Sequence, residues 1–80
     1  MREISLDKSK IGDILFVKRI LIDNSRKRRL LDIGLTPGTR FEKVLENFDG
    51  NLVAYMIRGA LIAIRNEDAK NIMVEVVQYD

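Results

Sequence analysis

The sequence predicts a mainly β fold: a small, closed or partly closed barrel of about five strands with one short helix. Three observations predict it. Short apolar runs recur at the two-residue period of strands, tight-turn signals separate them, and only one segment carries a longer helical pattern. Closure also removes exposed sheet edges, which a chain of 80 residues can hardly cover otherwise.

The elements follow in order. Residues 14–21 alternate, with Leu15, Val17 and Leu21 on one face and Ile14, Phe16 and Ile20 on the other. Both faces are apolar, so this strand is expected to be well covered. A helix is expected over about 25–33, capped by Ser25 or Asn24 and ended by Gly34 in a left-handed conformation. Leu30, Leu31 and Ile33 form its apolar side, and Leu35 packs back on it. Thr36-Pro37-Gly38-Thr39 reads as a type II turn, because proline fixes φ at its second position and glycine accepts positive φ at its third.

A second strand is expected over 40–47, with a bulge where alternation slips at Lys43 and Val44. Asp49-Gly50 signals a hairpin into a third strand over 51–58. Arg58-Gly59-Ala60 reverses the chain into a fourth strand over 61–65. Asn66, as cap, starts a helical turn at about 67–70 with Glu67 and Asp68 at the positive end of its dipole. A fifth strand covers 72–77.

The residue inventory narrows the chemistry. The chain has no cysteine and no histidine, which excludes disulfides, the usual catalytic triads and the usual zinc sites. Ferrous iron and other borderline metals favour imidazole or thiolate ligands, and none is present. The carboxylates match no calcium loop, and neither GxxxxGK nor GxGxxG occurs. So small a chain leaves little room for a substrate cleft. No cofactor, metal site or catalytic residue is therefore expected. No apolar run resembles a signal peptide or a membrane span, so membrane insertion is not expected either.

Net charge is +2, but residues 18–29 carry +5 and the remainder −3. Lys18, Arg19, Arg26, Lys27, Arg28 and Arg29 face only Asp23 in that stretch. The asymmetry points to an acidic partner, a phosphate backbone or a lipid surface, against the alternative of a plain solvated helix face. Small barrels that bind single-stranded nucleic acid add exposed aromatics to a basic groove. Here the aromatics are few, and only Phe48 and Tyr55 are placed to be presented together.

The run RKRRLLDIGLTPGTR, residues 26–40, resembles the signature of the FeoA family, small cytoplasmic proteins of bacterial ferrous iron uptake. The match lies in Arg28, Arg29, Leu30, Leu31, Asp32, Gly34, Leu35, Pro37, Gly38 and Thr39. Ser5-Leu6 with Gly12, Val17 to Ile20, Arg58-Gly59, Ala63-Ile64-Arg65, Ala69 and Ile72 to Val74 extend the likeness over most of the chain. The turn before the third strand departs from it, with Asp49-Gly50-Asn51 where the family often has Gly-Asp-Pro.

The resemblance implies an SH3-like barrel and a cytoplasmic, non-catalytic role beside an FeoB-like membrane transporter with a GTP-binding domain. The same fold occurs as the C-terminal domain of iron-dependent repressors of the DtxR type. The candidate partner surface is Arg26, Lys27, Arg28 and Arg29 with the turn at Leu35 and Pro37. Tyr55 and Met56 are a second candidate, because the third strand has two apolar faces and a small barrel can bury only one. Nucleic-acid binding and self-association through an exposed strand are the alternatives.

Overall fold

A computed structural model of the chain describes residues 2–47 and 49–77. Six strands form one antiparallel sheet: β1 (Arg2–Ser5), β2 (Ile14–Ile20), β3 (Arg40–Glu46), β4 (Leu52–Ile57), β5 (Ala60–Arg65) and β6 (Ile72–Val77). Helix α1 spans Asn24–Asp32, α2 spans Asn66–Ala69, and a 3-10 turn spans Leu6–Lys8. The strand order is β1-β6-β2-β3-β4-β5. From β2 to β5 each strand pairs with the next; α2 then carries the chain back so that β6 lies beside β2. This is the mainly β, SH3-like arrangement that the sequence predicts.

The central strands turn alternate residues inward, as the pleat requires. Val53, Tyr55 and Ile57 of β4 point into the core, as do Ile72, Val74 and Val76 of β6. Leu6, Leu15 and Leu35 are fully enclosed among them. Burial of each such side chain contributes about 1.5–3 kcal/mol.

Four details differ from expectation. The strand β1 was not foreseen, because its short run carries Arg2 and Glu3 and no alternation of its own. It is held by a register on β6 running from Arg2 opposite Val76 to Ser5 opposite Met73. In β2, a bulge between Val17 and Arg19 moves Ile20 to the inner face with Leu15 and Val17. Leu21, predicted to lie with them, is instead 59% exposed. The caps also shift: Asp23 precedes α1 and Arg65 precedes α2, each without a side-chain cap bond, so neither Ser25, Asn24 nor Asn66 plays that part. Finally, Ala54 on the outer side of β4 is nearly buried, while Leu52 and Met56 on the same side are open.

The predicted bulge in β3 is present between Lys43 and Leu45. It lets Lys43 point inward opposite Tyr55 and turns Leu45 outward opposite Ala54. The predicted turns are present too. Asn47 N–H donates to Leu52 O at 3.0 Å across the hairpin, with Gly50 at φ +76°. Arg58 and Gly59 both take positive φ, 49° and 82°, the backbone of a two-residue hairpin turn.

Candidate functional site

The basic segment is built on a rigid helix stop. Leu35 N–H donates to Leu30 O at 3.0 Å, and Gly34 N–H donates to Leu31 O at 3.0 Å. These paired bonds, with Gly34 at φ +107°, close the helix in a Schellman motif. Leu30 and Leu35 are buried on the inner side. The turn that follows is tied to β2: Gly38 N–H donates to Val17 O at 2.7 Å, and Val17 N–H donates to Thr39 O at 3.0 Å. Thr39 N–H donates to Thr36 O at 3.0 Å, and the two threonine hydroxyls share a 2.7 Å bond.

Arg58 locks this corner. Its guanidinium donates to Thr36 Oγ1 at 3.3 Å and to Thr39 Oγ1 at 3.4 Å. Its stem passes over Gly34 so closely that a Cβ there would sit 3.1 Å from Arg58 Cδ. Sequence reading placed Arg58 in a chain reversal and in the family likeness, with no contact assigned to its side chain. Its link to the turn is a contact between residues distant in sequence, and no local pattern signals it.

The structure also separates paired cations from free ones. Lys18 meets Glu75 of the adjacent β6 at 2.6 Å and Arg19 reaches Glu3 of β1, one strand further, at 3.0 Å, so carboxylates of the same sheet pair the cations of β2. The hydrogen bond and charge of Glu75 raise the pKa of Lys18. Arg26 pairs with Asp68 and joins α1 to α2. Lys27, Arg28 and Arg29 are exposed and, among the described residues, form no ion pair, not even with Asp32, which stands three and four residues along the helix from Arg29 and Arg28.

Pro37 is exposed beside this helix end. It borders a shallow groove of about 310 Å³ shared with Phe16, Val17, Lys18, Gly38 and Glu75. The other predicted partner residues lie elsewhere. Leu35 and Tyr55 are both 0% exposed, which removes them from any surface. Met56 is 39% exposed on the opposite face of β4 from Tyr55. Phe48, expected to be presented with Tyr55, lies outside the described residues, as does Tyr79.

Inside the barrel, Lys43 is buried, a position sequence reading missed. Its ammonium donates to Ser9 O at 2.7 Å and lies 3.7 Å from Glu46. Tyr55 packs its ring against Phe41, with centroids 5.7 Å apart. Its hydroxyl and Asp7 Oδ1 are buried without a hydrogen-bond partner. Burial pushes the Tyr55 phenol well above its usual range; the neighbouring Ser9 side chain pulls the other way, and the charges of Asp7 and Glu46 add to the rise. Among the described residues no three carboxylates converge as metal ligands, and no helix is long and apolar enough to cross a membrane.

Comparison with known proteins gives this geometry a setting. The family model described as "FeoA domain" matches residues 4–76. The FeoA protein of Chlorobium tepidum is similar at 26% identity and TM-score 0.89, over 96% of this chain and 73% of that one. An FeoA-like protein of Clostridium acetobutylicum is similar at 26% identity and TM-score 0.88, over 100% of this chain and 93% of that one. The IdeR protein of T. acidophilum shares the fold alone, at 20% identity and TM-score 0.81, over 96% of this chain and 35% of that one. No curated protein sequence gives a significant match.

Proposed function

The chain belongs to the FeoA family, and on that premise we propose that it serves ferrous iron transport as a non-enzymatic accessory protein in the cytoplasm. It acts by docking on the cytoplasmic, GTP-binding part of an FeoB-like membrane transporter. The observation that carries this reading is the free basic edge of α1. Lys27, Arg28 and Arg29 keep their charge for a partner, while the neighbouring cations are already neutralised within the fold.

Rigidity supports the same reading. The Schellman stop, the Thr36–Thr39 bond and the Arg58 clamp fix the helix end relative to the exposed Pro37. A preformed surface loses little entropy on docking. The partner it fits is an acidic surface that accepts guanidinium groups and seats Pro37 against an apolar patch.

The test is binding of the transporter's isolated cytoplasmic domain by calorimetry. Arg28→Glu is expected to weaken it by about tenfold or more, because reversing a rim charge sets like charges together. Arg28 is exposed, so its thermal melt stays that of the parent. Unchanged affinity in a natively folded variant would overturn this docking face.

A further inference from the structure

The outer face of β3, β4 and β5 is apolar and open. Leu45 is 49% exposed, Leu52 42%, Met56 39% and Leu61 54%. The register places them in three rows. Glu42, Met56 and Leu61 form one row, Leu45, Ala54 and Ala63 the next, and Leu52 with Arg65 the last, where Asn47 closes the β3 side. The β3 bulge creates part of this face. Without it Leu45 would stand opposite Val53 and point inward; with it Leu45 turns to solvent.

Charge sits only at two corners of the nine positions. Glu42 is at one, and Arg65 is at the corner diagonally opposite. Glu42 makes no ion pair among the described residues, and Arg65 reaches Glu67 only at 4.0 Å. We propose that this face docks on a second copy of the same chain, the two sheets crossing at a steep angle about a two-fold axis through Leu61, Ala54 and Asn47.

That axis follows from the corners. It sets Glu42 of each copy on Arg65 of the other, Leu45 on the other copy's Leu52, and Met56 on the other copy's Ala63. An axis along the strands sets Glu42 on leucine. One across the strands sets Arg65 on leucine, and one along the remaining diagonal sets each charge on its own duplicate. Only the chosen axis pairs both charges and both apolar sets, as an isologous contact requires. The small side chain at Ala63 receives Met56 of the other copy, Ala54 meets its own duplicate on the axis and lets the sheets approach, and steep crossing is a regular mode of sheet packing.

The face is small. Strands about 4.8 Å apart and rows about 7 Å apart outline roughly 300 Å² in plan. A stable interface buries about 800 Å² per partner. The association is therefore expected to be weak and seen only at high protein concentration.

Sedimentation equilibrium of the whole chain tests this. The average mass is expected to rise with concentration from one chain of 9.2 kDa towards two. Glu42→Arg and Arg65→Glu are each expected to weaken the dimer about tenfold, and the double swap to restore it within about threefold. A monomer at every concentration overturns the proposal. So does a dimer indifferent to both single swaps, as pairing through the open β5 edge would give, or one that the double swap fails to restore. Should a swap disturb folding by circular dichroism, Leu45→Ser decides: a weaker dimer supports the face, and an unchanged one overturns it.

Discussion

Tyr55 shows how much a single buried side chain can set. Its ring fills the centre of the barrel against Phe41, but its hydroxyl is enclosed without a partner. An unsatisfied buried hydroxyl costs about 1–3 kcal/mol. Because burial raises its pKa, the folded phenol keeps its proton where an unfolded one, at about 10, releases it. Unfolding then releases a proton, so the contribution of this group to stability is constant below about pH 10 and falls as pH rises beyond it. Tyr55→Phe is expected to leave stability at pH 8 equal or higher and to remove part of the decline between about pH 10 and 11. Urea midpoints of parent and variant measure this, and parallel declines would show that the phenol is not the titrating group. Nothing in the sequence marked Tyr55 as central. Its strand has two apolar faces, and which one turns inward is decided only by packing.

At the level of elements, the helix stop carries the site. Gly34 answers two demands at once, a φ of +107° and the stem of Arg58 overhead. Gly34→Ala is expected to cost about 1–2 kcal/mol from the backbone alone. The contact with Arg58 Cδ at 3.1 Å adds to it. An unchanged denaturation midpoint would show that the turn relaxes freely. This stop was legible in the sequence, because glycine, leucine and Pro-Gly stand in fixed order. So was the β3 bulge, since polar Lys43 breaks an otherwise clear alternation. The β2 bulge was not legible. Both faces of that strand are apolar, so a slip of one residue leaves the pattern looking the same. The edge strand β1 was hidden for a related reason: half exposed and charged, it has no period to read.

For the whole molecule, the decisive quantity is where charge remains after the fold has paired it. All four cations of α1 were candidates from the sequence, but only contacts between distant elements show that Arg26 is engaged by Asp68 while, among the described residues, its neighbours are not. The sequence places the basic helix; the barrel selects its free members. Docking through those members is expected to weaken several-fold as ionic strength rises from about 0.01 to 0.15 M, because the Debye length falls from roughly 30 to 8 Å. Titration of the transporter's cytoplasmic domain at both salt concentrations checks this. Salt-independent affinity would point to an apolar contact instead. The two sheet edges contrast in the same way. Arg2 and Glu3 place charges along β1, whereas β5 carries a charge only at Arg65, its last residue.

The strand order also governs when the molecule can form. From β2 to β5 each pairing is with an adjacent strand, so that meander can assemble early. The strand β1 has β6 as its neighbour, and Glu3 meets Glu75 about seventy residues away. Closing so long a loop costs entropy before its contacts form, so the pairing of β1 with β6 is expected to come after the meander. During synthesis β1 leaves the ribosome before β6 and lacks its partner until β6 has been made. Arg2 and Glu3 put charge on that waiting strand, a feature that discourages edge-to-edge pairing.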